Sequence, residues 1–293
     1  MQSKPYGRSG RSVSVLGLGA GQIGDAAMAE ADVATLLNSA LDLGITLIDT
    51  ARGYGLSEER IARHLAHRRS EFVLSTKVGY GIEGHADWTA TCITAGINEA
   101  LTRLRTDFID IVHLHSCDLL TLQAGEVVDA LVRAHEQGKI GVAAYSGENE
   151  ALAWAVGSAR FGGVECSVNL FDPGSLVSPL PGALAQGLGV IAKRPLGNAP
   201  WRFAERPAGN YAELYWQRLQ ELALDTVGLP WDKLALRYTA HLAEVSSAIV
   251  GTASLQHLRH NVALAGKGPL PNEVLAAIHA RQRAVGRHWR GDI

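Results

Sequence analysis

The sequence has no marked excess of charge of either sign, and it has few cysteines. Twenty-seven Lys and Arg residues stand against 29 Asp and Glu residues, so the formal net charge at pH 7 is −2. Domains that bind nucleic acids or anionic membranes are usually basic, so neither partner is expected. The three cysteines, Cys92, Cys117 and Cys166, lack C-x-x-C spacing and are expected to be reduced thiols.

Long apolar segments are also missing. No stretch approaches the roughly 18 uninterrupted apolar residues of a membrane-spanning helix. The first residues, MQSKPYGRSGRSVSV, are polar and interrupted by glycine, unlike a secretory signal peptide. We therefore expect a cytoplasmic protein that does not associate with membranes.

The sequence does contain a repeated alternation of short apolar runs and helical patterns. The runs are rich in Val, Ile and Leu and are too continuous for half-exposed strands, which indicates strands buried on both faces. They span residues 13–19, 45–51, 72–78, 108–115, 140–146, 163–170, 189–196 and 245–251.

Each run is followed by a segment with the periodicity of a helix that packs one face on a core. The segments cover residues 31–43, 58–66, 88–104, 126–135, 150–159, 181–188, 231–242 and 255–264. Eight strand–helix units in succession predict an α/β fold of the (β/α)8 TIM-barrel type.

One interval between strands is longer than the others. Between the strands that begin at residues 189 and 245 lie an extra loop, 197–210, and an extra helix, 211–224. We expect a long insertion after strand seven, on the face of the barrel where active sites lie. A closing helix is predicted at 272–289. The length of 293 residues could hold two domains, but no linker interrupts the pattern, so residues 1–293 are expected to form one domain.

The 32 glycines allow two interpretations. Gly19, Gly21 and Gly24 spell G-x-G-x-x-G after a strand, and Asp49 ends the next strand, as in a dinucleotide-binding Rossmann unit. In that unit the third glycine opens a helix, whereas here the helical pattern begins only near Ala29. Tight turns at a barrel mouth are therefore the favoured interpretation.

Three motifs, in order, carry a more specific resemblance. Residues 47–55 read L-I-D-T-A-R-G-Y-G and precede S-E-E-R at 57–60, residues 75–77 read S-T-K, and residues 107–115 read D-F-I-D-I-V-H-L-H. Their order and spacing resemble the aldo-keto reductases, which combine a D-T-A-x-x-Y-G-x-S-E signature with a lysine on strand three and a histidine on strand four. The resemblance runs from about residue 4 to about residue 266.

The resemblance implies four catalytic residues: Asp49, Tyr54, Lys77 and His115. Three of them end strands and Tyr54 follows one, so all four reach the same barrel mouth. A carbonyl that accepts hydride develops alkoxide charge and needs a proton donor with electrostatic support. Tyr54 would donate the proton, Lys77 would lower its pKa from about 10, Asp49 would hold Lys77, and His115 would orient the carbonyl oxygen.

Structural alternatives exist for each of these positions. Asp49 could cap a helix, Lys77 could form an ion pair only, and Tyr54 could be a surface aromatic. His113 faces the same side as His115, and a register shift of two residues would exchange them. We expect His113 to be a satisfied core histidine.

The resemblance also implies a nicotinamide dinucleotide that lies across the barrel mouth without a Rossmann fold. The expected cofactor-binding positions are Gly19, Asp49, Ser146, Asn169, Lys193, Arg194, Leu196, Gly251, Thr252, Ser254, His257 and Asn261. Ser146 corresponds to a carboxamide contact and Asn261 to an adenine contact, and the helix start after Thr252 suits a phosphate. As a family expectation, NADP(H) is preferred to NAD(H).

Several positions depart from the family pattern. Gly147 stands where an asparagine is expected, and Asn149 is a candidate replacement. Glu165 occupies the position of a carboxamide-binding glutamine, Lys193 that of a ring-stacking tyrosine, and His260 that of a glutamate.

The substrate is expected to contact Tyr54 and His115, with Tyr80, Trp88 and Trp201 as candidate pocket walls that could equally be loop packing. The predicted activity is reversible reduction of an aldehyde, a ketone or a sugar to the alcohol, with no metal. A second class stays open: a non-catalytic NADPH-binding or sensing subunit on the same fold, as the voltage-gated potassium channel beta subunits partly are. The presence of all four catalytic residues favours the enzyme.

Overall fold

The computed structural model describes residues 1–226 and 228–291 of the chain. Within these residues, eight parallel strands form a closed barrel in the order β10-β3-β4-β5-β6-β7-β8-β9. The strands are β3 (Leu16–Gly19), β4 (Leu47–Asp49), β5 (Val73–Val78), β6 (Ile109–His115), β7 (Ile140–Ser146), β8 (Gly163–Ser167), β9 (Gly189–Lys193) and β10 (Ser247–Gly251). The predicted (β/α)8 TIM barrel is confirmed. The extent of the domain, residues 1–293, stays a prediction, and residues 227, 292 and 293 lie outside the described part.

The helices surround this barrel. They are α1 (Glu30–Asp42), α2 (Ser57–Leu65), α3 (Ala90–Leu104), α4 (Leu119–Ala124), α5 (Glu126–Glu136), α6 (Asn149–Gly157), α7 (Gly174–Val177), α8 (Leu180–Gln186), α9 (Glu213–Leu222), α10 (Trp231–Ala240), α11 (Leu255–Ala265) and α12 (Asn272–Val285). Helices α4 and α7 are short, too short to produce a readable periodicity in the sequence.

The main core lies between the strands and the surrounding helices. Helix α1 shows why the sequence folds this way: its buried residues Val33, Leu36, Leu37, Ala40 and Leu41 recur every three or four positions and form one face. The strands bury side chains on both faces, because alternate residues point into the barrel or toward the helices. Residues at successive strand ends therefore meet at one mouth.

The opposite end of the barrel is closed by a hairpin that the sequence did not reveal. Strands β1 (Ser3–Pro5) and β2 (Ser12–Ser14) pair antiparallel and place the fully buried Tyr6 against the inner side of the barrel. A Cβ at Gly189 would come within 2.5 Å of the Tyr6 ring, so a glycine is needed there. The prediction of one strand over 13–19 is wrong at its start, because an apolar run does not distinguish a hairpin strand from a barrel strand.

The long insertion after strand seven is confirmed. It follows β9 and contains a 3-10 helix (Pro200–Arg202) and α9. Helix α9 packs with α10 and the closing helix α12 around Phe171, Tyr215 and Tyr238, which forms a second hydrophobic cluster beside the barrel. Among the described residues, no helix combines the length and the apolar character needed to cross a membrane.

Candidate active site

A buried ion pair lies at the centre of the barrel mouth. Asp49 ends β4, Lys77 lies on β5, and the Lys77 ammonium donates to Asp49 Oδ2 at 2.5 Å and to the Thr50 carbonyl at 3.0 Å. Both side chains are almost fully buried. Burial alone would lower the pKa of Lys77, but the charges of Asp49 and Glu165 outweigh it and raise this pKa, so the ammonium stays charged.

Glu165 supplies a second carboxylate to the same ammonium. It lies on β8, and its Oε2 is 3.3 Å from the Lys77 Nζ. Burial and the charge of Glu165 raise the pKa of Asp49 to about 6, although Lys77 opposes this shift. Asp49, His113 and Glu165 have the donor types of a metal site and lie within 4.8 Å of one another. The cation that the two carboxylates hold is the Lys77 ammonium.

His113 lies deeper in the barrel than the mouth. Its Nε2 is 3.1 Å from the Ser75 hydroxyl, which in turn donates to Asp49 Oδ1 at 2.7 Å. Its Nδ1 has no hydrogen-bond partner among the described residues. Burial and the Lys77 charge lower the pKa of His113 to about 3, so the ring is neutral. The burial of His113 and its Nε2 contact with Ser75 agree with the expectation of a core histidine.

Tyr54 lies above this cluster in the loop after β4. The Lys77 Nζ is 5.4 Å from the centre of the Tyr54 ring. The Lys77 charge lowers the pKa of Tyr54, as expected, but burial and the charges of Asp49 and Glu165 outweigh it, and the pKa is raised to about 12. The expected net lowering is therefore wrong for this arrangement, because burial and two carboxylates oppose one ammonium.

Glycines from the G-x-G-x-x-G stretch hold the Tyr54 loop in place. A Cβ at Gly24 would collide with the Tyr54 carbonyl, and a Cβ at Gly21 would touch the Tyr54 ring at 3.8 Å. Gly24 ends a short 3-10 helix, and α1 begins only at Glu30. These glycines therefore make a close turn at the barrel mouth, as expected, and do not start a Rossmann helix.

His115 ends β6 and faces Tyr54. The two rings meet edge to face with their centres 6.1 Å apart. The Tyr80 hydroxyl lies 2.9 Å from His115 Nδ1, and Trp88 packs against Tyr80 with ring centres 5.9 Å apart. Burial and the charges of Lys77 and Lys193 lower the pKa of His115 to about 3. The mouth therefore combines a phenol, an ammonium and a neutral imidazole.

Three buried polar atoms on the opposite side of the mouth form no hydrogen bond with the described residues, although one of them, Glu165 Oε2, also faces the Lys77 ammonium at 3.3 Å. They are Ser146 Oγ, Glu165 Oε2 and Asn169 Nδ2. Ser146 and Glu165 are neighbours across β7 and β8, and Asn169 follows β8. Unpaired buried polar atoms are costly, so such atoms mark a position where a polar ligand group can bind.

Three further expected cofactor positions lie at and just after the end of β9, and two of them, Lys193 and Arg194, carry positive charge. Lys193 ends β9 and lies 3.2 Å from Glu148 Oε1, which also accepts from the Ser167 amide at 2.8 Å. Arg194 has a left-handed backbone (φ 55°) and lies over the Tyr211 ring at 5.5 Å. Leu196 is half-buried against the core. The structure thus places Lys193 toward the mouth, in an ion pair.

The last group of positions lies at the end of β10. Gly251 pairs with Gly19, which pairs with Asp49, so the three residues lie side by side at the mouth. The Thr252 hydroxyl accepts from the Ser254 amide at 3.0 Å.

Helix α11 begins directly after this turn. The Ser254 hydroxyl caps it by accepting from the His257 amide at 3.3 Å. His257 is exposed, and Asn261 is buried one turn further along. This capped helix start faces the same side of the barrel as the strand ends.

Two expected residues lie elsewhere. Trp201 stacks on Trp231 with ring centres 6.2 Å apart and belongs to the cluster beside the barrel rather than to the Tyr80–His115 group. The Asn149 amide donates to the Gly291 carbonyl and its oxygen accepts from the Gly291 amide. Asn149 therefore binds the C-terminal segment instead of replacing the missing asparagine.

Sequence reasoning missed one member of the site, Ser75, and one contact, between Glu165 and Lys77. Ser75 lies two residues before Lys77 and so points to the same side of β5, a signal that was readable. The pairing of Glu165 with Lys77 joins strands on different sides of the barrel, and sequence spacing does not reveal it.

The comparisons with known proteins agree with this fold. A sequence model described as the aldo/keto reductase family matches residues 15–282. The chain is 28% identical over 281 residues to an L-galactose dehydrogenase of Arabidopsis thaliana, covering 90% of this chain and 88% of that protein. It is 29% identical over 300 residues to a probable voltage-gated potassium channel subunit beta of Oryza sativa, covering 89% and 90% of the two chains.

A solved structure shares the fold. It is the holo form of an aldo-keto reductase from Bacillus halodurans, with a TM-score of 0.81, 25% identity and 96% of each chain covered. The barrel and its mouth thus define the class of nicotinamide-dependent oxidoreductases that act on carbonyl or alcohol groups. Within that class, this chain belongs to the aldo/keto reductase family.

Proposed function

We propose that this enzyme reversibly reduces an aldehyde, a ketone or a sugar carbonyl to the alcohol, with Tyr54 as the general acid. The observation that carries the proposal is the Asp49–Lys77 pair beneath the Tyr54 ring, with neutral His115 facing that ring. Hydride transfer to a carbonyl carbon leaves negative charge on the oxygen, and this group offers a proton and a positive charge at the same position.

The residues of the mouth divide the work. A phenol whose pKa is raised to about 12 keeps its proton at neutral pH, so Tyr54 is ready to protonate an alkoxide. Lys77 stabilises the phenolate that remains, and Asp49 fixes the ammonium at 2.5 Å. His115 donates a hydrogen bond to the substrate oxygen. The reverse reaction requires the phenolate and is therefore favoured at alkaline pH.

The buried polar atoms without a hydrogen bond opposite Tyr54 support a nicotinamide carboxamide there. A carboxamide has an oxygen that accepts and an amino group that donates. The Ser146 hydroxyl and the Asn169 amide nitrogen can donate to the first, and the Glu165 carboxylate can accept from the second. The nicotinamide, when bound, supplies or accepts the hydride. From there the dinucleotide would extend past Lys193 toward the end of β10 and the start of α11, where Gly251, Thr252 and Ser254 lie.

We propose NADP(H) rather than NAD(H) as the cofactor. An acidic residue on the adenosine ribose is typical of NAD sites, and the first turn of α11 contains none. The exposed side chains of His257 and Arg259 on that helix instead suit a 2′-phosphate.

For the substrate we propose a small carbonyl compound, with a sugar as the first choice. The similarity to an L-galactose dehydrogenase supports a sugar. The rings of Tyr80 and Trp88 beside His115 support it too, because aromatic faces pack well on the C–H face of a sugar.

A panel of aldehydes, ketones and aldoses, each with NADPH and NADH and in both directions, tests the proposal. We expect a change in nicotinamide absorbance with at least one carbonyl compound or sugar. Tight binding of NADPH without turnover of any substrate would instead support the sensing subunit, a role consistent with the similarity to a probable channel subunit.

A further inference from the structure

Tyr80 makes two contacts with His115 at once. Its hydroxyl lies 2.9 Å from His115 Nδ1, and its ring stacks on the imidazole with centres 5.5 Å apart and planes 29° apart. A stacked ring that also reaches the edge nitrogen of its neighbour has little freedom to move. The contact therefore fixes both the plane of the imidazole and the partner of Nδ1.

The loops around Tyr80 are built to hold it there. Gly53 lies so close that a Cβ on it would be 3.0 Å from the Tyr80 hydroxyl. The Arg52 guanidinium donates to the Gly81 carbonyl, and the Gly81 amide donates to Asp87 Oδ1 at 2.8 Å. Arg52 is itself anchored by Glu99 at 2.6 Å. The loop after β4 is thus tied to the loop after β5, next to Tyr80.

The protonation states leave two directions for this hydrogen bond: the phenol donates to Nδ1, or a protonated Nδ1 donates to the phenol oxygen. Burial raises the pKa of Tyr80, so its hydroxyl keeps its hydrogen, and the pKa of His115 is lowered to about 3, so the imidazole is neutral. A neutral imidazole has one N–H, and its other nitrogen only accepts. A phenol that donates to Nδ1 leaves the hydrogen of the ring on Nε2.

We propose that Tyr80 is a positioning residue that donates to His115 Nδ1 and thereby holds His115 as the Nε2–H tautomer. In that tautomer His115 offers an N–H to the oxygen of a bound carbonyl substrate, and in the other tautomer it offers a lone pair, which repels that oxygen. The inference rests on the proposed function for its catalytic consequence, whereas the tautomer itself is a property of the protein alone.

The test is nitrogen NMR of protein labelled with 15N-histidine, without cofactor or substrate, with His115→Asn used to assign the His115 signals. We expect wild-type His115 to have an unprotonated Nδ1 and a protonated Nε2. In Tyr80→Phe, which keeps the ring and removes the hydroxyl, we expect the two signals to move toward an average of both tautomers. Tyr211→Phe, which removes the hydroxyl of an exposed tyrosine, should leave the His115 signals unchanged.

The kinetic readout uses a substrate found with the panel. In Tyr80→Phe we expect kcat to fall about five- to tenfold, the size expected for one neutral hydrogen bond, with little change in the Kd of the cofactor. Two NMR results would overturn the proposal: a proton on His115 Nδ1 in the wild type, or an unchanged signal pattern in Tyr80→Phe. A changed tautomer in Tyr80→Phe with unchanged kcat would overturn it as well. If no substrate is turned over, the proposed function fails, while the NMR result still decides the tautomer.

Discussion

Replacing Glu165 with glutamine should lower the pKa of the Tyr54 hydroxyl. The Glu165 Oε2 is 3.3 Å from the Lys77 Nζ, and that Nζ is 5.4 Å from the Tyr54 ring centre, so the carboxylate lies within about 9 Å of the ring. At an effective dielectric constant of about 20, a unit charge at this distance contributes about 2 kcal/mol. That corresponds to somewhat more than one pKa unit. The amide keeps the shape of the side chain and removes the charge.

The assay is an NMR titration of protein labelled with 13Cζ-tyrosine, with Tyr54→Phe used to identify the Tyr54 signal. We expect the midpoint to move from about 12 to a lower pH in Glu165→Gln. Because the phenolate fraction below the midpoint rises about tenfold per unit, alcohol oxidation near neutral pH should become faster by a similar factor.

A matched control is Glu148→Gln. Glu148 is also a buried carboxylate at the mouth, but its cation is Lys193 at 3.2 Å, and it is not among the main charges that act on Tyr54. A Tyr54 midpoint that stays in place or rises in Glu165→Gln would refute the reasoning. An equal shift in Glu148→Gln would show that the effect is not specific to the Lys77 cluster.

Three further predictions concern stability and the loop. Asp49→Asn should lower the free energy of unfolding, measured in urea titrations, by about 3 kcal/mol, because the Lys77 ammonium loses its nearest carboxylate. A loss well below about 1 kcal/mol would show that Glu165 alone is sufficient to hold the ammonium. Gly24→Ala should displace the Tyr54 loop and sharply reduce turnover, because its Cβ would collide with the Tyr54 carbonyl. The control Gly157→Ala has open space at its Cβ and should leave turnover unchanged. Equal activities of the two variants would contradict the close contact between Gly24 and Tyr54. Acidification from pH 6.5 should destabilise the fold, because the neutral His113 and His115, with pKa values lowered to about 3, take up protons only on unfolding. Each histidine lowers the free energy of unfolding by about 1.4 kcal/mol per pH unit of acidification. Asp49, with its raised pKa of about 6, takes up a proton in the folded state and offsets the effect of one histidine. His113→Gln should therefore lose less stability between pH 6.5 and 4 than the wild type, and an equal loss would contradict this account.

The sequence was sufficient to predict the barrel because its strands are buried on both faces. A continuous apolar run such as residues 140–146 predicts a strand with the same bounds as β7. Parallel strands end at one edge, so placing Asp49, Lys77 and His115 at strand ends was enough to place them at one mouth. The hairpin that carries Tyr6 was not predictable in this way, because it is defined by contacts with strands far along the chain.

The electrostatics of the site depend on contacts across the barrel. Sequence reasoning expected Lys77 to lower the pKa of Tyr54, which holds for Lys77 taken alone. The opposite net direction comes from burial and from the carboxylates of Asp49 and Glu165. Which side chains meet inside a barrel depends on strand tilt and stagger, and a sequence does not display these.

The position of Trp201 shows a similar limit. The sequence placed it in the insertion after strand seven, near the mouth, but it stacks on Trp231 in the cluster beside the barrel. A loop residue can pack on any neighbouring element, and only the path of the loop decides which one. Tyr80 does lie at the mouth, because it follows Val78, the last residue of β5, by only two positions.

The most direct test of the central claim is the comparison of wild type with Tyr54→Phe on one carbonyl substrate, with the Kd of NADPH measured in parallel by fluorescence. The variant keeps the aromatic ring near Lys77 and loses only the phenolic hydroxyl, and with it the acidic hydrogen. We expect kcat for reduction to fall by about 10²- to 10⁴-fold, the usual contribution of a general acid, while the Kd of NADPH stays nearly constant. Turnover that survives unchanged in Tyr54→Phe would contradict the assignment of Tyr54 as the proton donor.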